Sequence, residues 1–240
     1  MVLLDMGNSR CKWARVQAGQ WIARGVIENA KIDTLAAVFA RLSTPSRILV
    51  SNVAGAEMAA RLRTLLSVCP CAPTFVTACA AQCGVRNSYQ FPPQLGSDRW
   101  AALIGARQHV REACLVVNCG TATTIDSLSA EGEFIGGLIL PGVDLMRRGL
   151  RTNTAQLADA EGVVCDFPLN TADAMMSGAL RATQGAIVQQ YNLLQQRCGT
   201  ARCVISGGAD GAVTAQLAVP CIRVDDLVLQ GLQVMGENEA

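Results

Sequence analysis

Val2-Leu3-Leu4-Asp5-Met6-Gly7-Asn8-Ser9 and Leu115-Val116-Val117-Asn118-Cys119-Gly120-Thr121-Ala122 are two versions of one pattern, 113 residues apart in a chain of 240. Each is a short apolar run that ends on a polar residue and a glycine turn. Each also opens a strand–turn–strand–turn–strand series. The first series continues through residues 12–16, a turn at Gly19-Gln20 and residues 21–27. The second continues through residues 123–128, a turn at Glu131-Gly132 and residues 134–140. Two such series half a chain apart imply two similar lobes, residues 1–112 and 113–240, whose glycine turns could face one another across a cleft.

Outside these series, helical and extended patterns alternate. Asp33 can cap a helix over 34–42, with Leu35, Val38, Phe39 and Leu42 on one face. A strand over 47–53 and a helix over 56–68 follow, then a short strand over 74–77 and a loop over 87–93. Ser97 or Asp98 opens a helix to about residue 111, with Ser97 suited to the N-cap. After the second series, Pro141-Gly142 leads into a helix carrying Leu145, Met146 and Leu150. Residues 152–169 show little regular pattern, and 172–197 read as one long helix. A strand over 203–205, a turn at Gly207-Gly208, a helix, a short strand near Ile222 and a last helix from Asp225 complete the chain. This alternation predicts an α/β protein with mixed sheets flanked by helices.

Composition narrows the function. Half of the residues are hydrophobic and 16% are charged, which excludes intrinsic disorder. A net charge of +1 argues against nucleic acid as the main partner. Basic groups concentrate in the first 110 residues, which suits an anionic small molecule, although uneven surface charge accounts for it as well. No run approaches the ~20 apolar residues of a membrane span. The first residues lack a basic leader, and Asp5 interrupts their apolar run, so neither a membrane nor a secretory role is expected. The 11 cysteines are an odd number in a chain too large to need staples, and most fall within apolar segments. They read as reduced, small buried hydrophobes of a cytoplasmic protein. Cys69-Pro70-Cys71, Cys79 and Cys83 lack the paired spacing of a zinc ribbon.

The glycine turns suit phosphate. A glycine after the strand-end polar residue lets backbone N–H groups approach phosphate oxygens with no Cβ in the way. Asn8, Ser9 and Thr121 add short donors. Lys12, one of two lysines in the chain, can reach a terminal phosphate, although a strand lysine with a solvated tip fits the same position. Asp5 is placed to hold Mg²⁺ through water; a buried turn-capping Asp is the alternative. Neither turn is a P-loop. Phosphoryl transfer to a hydroxyl also needs a positioned base. The one histidine, His109, lies deep in the helix begun near Ser97, which leaves carboxylates. Gly96-Ser97-Asp98-Arg99 stands at a helix start, where free N–H groups favour an anion. There an Asp can take a hydroxyl proton while an Arg grips an acid. An N-capping Ser beside a dipole-friendly Asp is the plainer reading of the same four residues.

Taken together, Asp5-x-Gly7-Asn8-Ser9-x-x-Lys12, Gly96-Ser97-Asp98-Arg99 and Asn118-x-Gly120-Thr121-Ala122-Thr123 resemble the type III pantothenate kinases. Gly136-Gly137-x-x-x-Pro141-Gly142, Asn170-Thr171 and Ser206-Gly207-Gly208 continue the resemblance in the family's order, so it covers nearly the whole chain. The resemblance implies two ribonuclease-H-like lobes of the actin, sugar-kinase and heat-shock-chaperone ATPase superfamily, with ATP between them. It implies ATP-dependent phosphorylation of pantothenate, the first step toward coenzyme A, in a cytoplasmic homodimer. By position, Asp5, Met6, Gly7, Asn8, Ser9, Arg10, Cys11 and Lys12 become the first phosphate loop. Gly120 and Thr121 belong to the second, and Gly207 and Gly208 match the segment near adenosine. Asp98 becomes the general base. Tyr89, Gly96, Ser97, Asp98 and Arg99 line the pantothenate site, and Thr171 becomes a contact to the neighbouring subunit's site. Asp5 holds Mg²⁺ through water. Where the family carries an Asp that binds K⁺ or NH₄⁺, this chain has Asn118, so the need for a monovalent cation does not carry over on the motif alone.

Two other functions use the same loops. A phosphatase-like member of the superfamily needs no Gly-Ser-Asp-Arg pocket. A non-enzymatic ATP-binding regulator would bind nucleotide without turnover, and Asp98 would be dispensable. The presence of both nucleotide-side and acceptor-side motifs favours the kinase.

Overall fold

The computed structural model describes residues 1–40, 45–153 and 161–238. The first sheet is built from β1 (Val2–Met6), β2 (Arg10–Gln17), β3 (Gln20–Glu28), β4 (Ile48–Asn52) and β5 (Pro73–Phe75). Its helices are α1 (Thr34–Ala40), α2 (Gly55–Leu66) and α3 (Ser97–His109). Between β5 and α3 the chain forms a small hairpin, β6 (Ala81–Gln82) and β7 (Val85–Asn87). The second half supplies β8 (Cys114–Cys119), β9 (Ala122–Leu128), β10 (Glu133–Pro141), α4 (Val143–Asn153), α5 (Thr171–Cys198), β11 (Arg202–Ser206), α6 (Asp210–Thr214), β12 (Cys221–Arg223) and α7 (Leu227–Asn238).

The sequence repeat is a topological repeat. One sheet runs β3-β2-β1-β4-β5 and the other contains β10-β9-β8-β11-β12, so β1 and β8 each lie inside a sheet with strands on both sides. In both, the repeat strand pairs antiparallel with the next strand and parallel with the one that follows the first crossover. Central strands are covered on both faces and therefore read as unbroken apolar runs, which is why Val2-Leu3-Leu4 and Leu115-Val116-Val117 stand out. Each sheet has its own core. Leu4, Met6, Trp13, Ile48 and Leu62 belong to the first, and Leu115, Val117, Ile187, Ile205 and Val213 to the second.

The chain divides into two compact units, one of Met1–Arg111, Gly132–Phe134 and Asp226–Ala240, the other of Glu112–Glu131 and Ile135–Asp225. The expected second lobe, 113–240, differs from this at two places. The start of β10 joins the first unit because Glu133 and Phe134 pair with Arg86 and Asn87 of β7. The C-terminal helix joins it because Arg47 Nη1 donates to the Gly236 carbonyl at 2.6 Å and Gln233 Nε2 to the Gly19 carbonyl at 3.0 Å.

Other elements shift in detail. The β6–β7 hairpin was not expected; its turn is Cys83-Gly84, with φ of 50° and 77°. Such a two-residue turn matches strand twist and leaves little sequence behind. Asp33 pairs with Arg61 rather than capping α1. The end of α1 expected at 41–42, and residues 154–160 of the irregular stretch, lie outside the described residues. None of the 11 cysteines is in a disulfide; Cys11, Cys114, Cys119 and Cys203 are buried, six are half-buried and Cys79 is exposed. Among the described residues no helix is long and apolar enough to cross a membrane.

Candidate active site

The first loop is the β1–β2 turn. Gly7 N donates to the Arg10 carbonyl at 3.1 Å, and Asn29 braces the turn from below: its Nδ2 donates to the Gly7 carbonyl at 2.9 Å and its backbone N to that of Ser9 at 3.0 Å. Asn8, Ser9 and Arg10 at the tip are exposed, which places the turn within reach of an anion. Met6 and Cys11 flank the tip, but their side chains are buried in the first core, so only their backbone can line the loop. Asp5 stands opposite Lys12 on β2 and Ser51 on β4. Burial pushes the Asp5 carboxyl up to about 7, the Asp98 charge adds to this, and Lys12 opposes it.

Lys12 is not a lysine with a solvated tip. Its Nζ lies 3.0 Å from Asp226 Oδ1, and Arg24 Nη1 lies 3.2 Å from Asp226 Oδ2. Asp226 immediately precedes α7 in left-handed backbone, φ 52°, a conformation that Asp tolerates better than most residues. The sequence reading missed Asp226; the only signal was an acidic pair, Asp225-Asp226, in front of an apolar helix.

The acceptor-side motif sits where β4 ends and α3 begins, at the carboxyl edge of parallel strands. Gly96, not Ser97, is the N-cap of α3, and no side chain caps the helix. Ser97 is the first helical residue, and its Oγ serves a different purpose. It lies 2.9 Å from Ser51 Oγ and accepts from Asn52 N at 3.1 Å, tying the helix start to β4. Asp98 follows in that fixed first turn and is half-buried. Its Oδ1 accepts from Arg99 N at 2.7 Å, and a Cβ on Gly96 would lie 2.6 Å from that oxygen. Burial raises the Asp98 carboxyl above the usual carboxylate range, with the Arg99 amide and charge pulling against it. Arg99 is buried; its Nη1 donates to Tyr89 Oη at 3.1 Å. Lys12 and Asp98 thus each act electrostatically on Asp5, and Arg99 and Tyr89 follow Asp98 in one hydrogen-bonded chain of contacts, all within the first unit.

The second loop belongs to the other unit. Gly120 N donates to the Ala122 carbonyl at 3.0 Å, and Gly142 N to the Thr121 carbonyl at 2.9 Å. Backbones crowd here. A Cβ on Gly142 would collide with the carbonyls of Gly120 and Thr121, and one on Gly207, whose φ is 110°, would run into Cys119. Three motifs far apart in sequence are therefore one backbone cluster. Gly208 faces open space. Arg223 grips Asp210 bidentately at 3.1 and 3.0 Å at the head of α6. Asn118 pairs in register with Thr124 and Ser206. Asp126, opposite Val116, is on the same face one pair further in and is buried. Thr171 is the first residue of α5 and is exposed; Asn170 caps the helix by accepting from Asp173 N at 3.0 Å. Among the described residues no group of three or more His, Cys, Asp or Glu could hold a metal. A single carboxylate such as Asp5 suits Mg²⁺, which keeps most of its waters and takes its other ligands from phosphate.

Comparison with known proteins identifies the family. The family described as type III pantothenate kinase matches residues 1–193. A type III pantothenate kinase of Aromatoleum aromaticum is 48% identical over 240 residues, covering 100% of this chain and 99% of that protein. Among solved structures, an inorganic polyphosphate/ATP-glucomannokinase from Arthrobacter superposes with a TM-score of 0.50 at 13% identity, covering 100% and 99% of the two chains. MreB 5 of Spiroplasma citri superposes with a TM-score of 0.52 at 9% identity, covering 99% and 96%. These two likenesses show the fold alone, that of the actin, sugar-kinase and chaperone ATPases.

Proposed function

The chain belongs to the type III pantothenate kinase family, and from that premise we propose that it transfers the γ-phosphoryl group of ATP to the hydroxyl of pantothenate, with Asp98 as the base. The observation that carries this reading is the first turn of α3. A carboxylate raised by burial is a stronger base than a solvated one, and it is adjacent to a buried arginine suited to a carboxylate. The acceptor binds through its acid to Arg99 beside Tyr89 and presents its hydroxyl to Asp98. Asp98 takes the proton as the oxygen attacks phosphorus, and the ADP oxygen leaves in line.

The exposed turn around Asn8 and Ser9, with Lys12, holds phosphate oxygens, and the turn at Gly120 and Thr121 is the second phosphate loop. Mg²⁺, when bound with ATP, neutralises phosphate charge, and Asp5 would hold it through water. Beside that ion Asp5 would be held in the ionised form that burial opposes. Homodimerisation through the region of Thr171 is supported by the apolar residues just before α5, where Val163, Phe167 and Leu169 are 66%, 88% and 98% exposed. A cytoplasmic location fits a substrate pair of ATP and a vitamin acid.

The test is a coupled assay with ATP, Mg²⁺ and pantothenate, using wild type and Asp98→Asn. The wild type is expected to turn over and the variant to lose ~10²–10⁴-fold in kcat while binding both substrates. Near-wild-type turnover in a folded Asp98→Asn protein overturns the role of Asp98. Nucleotide binding without turnover in the wild type overturns the kinase.

A further inference from the structure

Phe134 is wholly buried at the start of β10, and its ring faces a charge. Arg99 Cζ lies 5.6 Å from the Phe134 ring centroid and 5.9 Å from that of Tyr89. The two rings meet at an interplanar angle of 47° with centroids 5.3 Å apart, so the guanidinium lies against an aromatic corner. Arg99 is 5% exposed. A guanidinium withdrawn this far from water needs compensation, and an aromatic face supplies more when desolvated than at a surface.

The corner is itself held firmly. Phe134 and Glu133 pair in register with Asn87 and Arg86 of β7. Two residues beyond Asn87, Tyr89 donates its backbone N–H to Asn87 Oδ1 at 3.0 Å. Asn87 Nδ2 donates to the Pro92 carbonyl at 3.1 Å, and Ser88 Oγ donates to Glu133 Oε1 at 3.0 Å. Phe134 is therefore carried by the strand pair itself, and Tyr89 by the bend that leaves β7 and is tied back to it. The Tyr89 hydroxyl accepts from one nitrogen of Arg99, and the Phe134 ring lies beside its guanidinium. A planar fork recognises a carboxylate only when that plane is correctly turned.

Resting on the reading that Arg99 grips the acid of the acceptor, we infer that Phe134 is a positioning residue for Arg99 and sets the preference for a carboxylate acceptor over a neutral one. Phe134 need not touch substrate. Its effect passes through the orientation of Arg99, so it falls on acceptors that carry the carboxylate and spares those that do not.

The experiment is a competition between pantothenate and its primary amide, in which the carboxylate is replaced by a neutral group of similar size. The ratio of kcat/KM for the two acceptors, taken from one reaction mixture, is independent of how much of the enzyme is active. It is measured for wild type, Phe134→Leu, Phe134→Met and Arg99→Met. Leu and Met keep an apolar side chain of similar bulk but have no π-face, and having both guards against one failing to fold. The expected result is that the preference for pantothenate falls about 10-fold in both Phe134 variants, the fold-change that ~1.4 kcal/mol of a desolvated cation–π contact represents. In Arg99→Met it disappears. If both acceptors slow equally in the Phe134 variants and the ratio holds, Phe134 only packs the core and the inference is overturned. If Arg99→Met retains the preference, the assignment of Arg99 under the proposed function fails instead.

Discussion

Asp5 is expected to cost the enzyme stability in the absence of nucleotide, and the cost is expected to grow with pH. Burial and the nearby Asp98 raise its folded-state pKa from 3.8 to about 7. A raised folded-state value means that the native protein binds more protons than the unfolded chain between those two limits. The stabilising contribution is complete below about pH 4 and is lost as pH rises through about 7. A shift of about 3 units corresponds to at most ~4 kcal/mol, of which roughly 2.5 develops between pH 5 and pH 8. Asp5 retains some contact with solvent, so about half of that, ~1–1.5 kcal/mol, is the working figure. The perturbation is Asp5→Asn, which keeps the shape and removes the charge. The assay is thermal unfolding of nucleotide-free wild type and variant at pH 5 and pH 8. The variant is expected to be the more stable, with its advantage widening by roughly 3–5 °C at the higher pH for a chain of this size. Adding Mg²⁺ and ATP at pH 8 should favour the wild type, because ligand that binds the native state stabilises in proportion to its affinity. If the gap stays constant between pH 5 and pH 8, or if wild type gains on the variant as pH rises, Asp5 is not the buried acid described above.

Three further outcomes are expected. With saturating Mg²⁺ and ATP, the acid limb of kcat should lie above the ordinary carboxylate range, because Asp98 must be ionised to act and burial raises it; a limb at or below about pH 4 would contradict this. Mixing two inactive variants, Asp98→Asn and Thr171→Trp, should restore partial activity if subunits exchange, since one site of each mixed dimer is intact; a fully active monomer by light scattering rules the shared site out. Asn118 offers a cation only a carbonyl dipole where a carboxylate would offer a full charge, worth roughly 5 kcal/mol at ~3 Å and an effective dielectric of ~20 before desolvation. Rates should therefore depend little on K⁺ or NH₄⁺ at fixed ionic strength, and Asn118→Asp should increase that dependence; a steep K⁺ requirement at millimolar salt in wild type would show buried Asp126 or another group standing in.

What the sequence revealed of this fold came from local chemistry repeated inside each sheet. Val2-Leu3-Leu4 and Leu115-Val116-Val117 are legible because a doubly covered strand must be apolar throughout, and the glycines after them because a turn must follow. The hairpin at Cys83-Gly84 was not legible, since strands of two and three residues have no period to read. Ser97 shows a different limit. Its position fits an N-cap, and nothing local says that its hydroxyl goes to Ser51, 46 residues away, and leaves the cap to Gly96. Lys12 was recognised by its place beside a glycine turn, but its partner Asp226 lies at the far end of the chain. Local propensity carries no information about such pairs.

The residues that sequence reading missed share an origin. Phe134 and Asp226 come from the two segments of the second half, Gly132–Phe134 and Asp226–Ala240, that return to the first unit. One reaches Arg99 and the other Lys12, the two cations assigned to acceptor and nucleotide. Neither segment belongs to a phosphate loop or to the Gly-Ser-Asp-Arg turn, so motif matching passes over both. A long cationic side chain has several rotatable bonds, and fixing it costs entropy that must be recovered when the site is built rather than when substrate arrives. An aromatic corner for Arg99 and a carboxylate for Lys12 do this in advance, each in the chemistry its cation requires. Lys12 is a point charge and is held by one oxygen. Arg99 is a plane, and the rings of Tyr89 and Phe134 lie beside it before any carboxylate arrives. The two returning segments therefore do more than complete a sheet edge and a helix layer: they place the counterparts that turn two flexible cations into fixed ones.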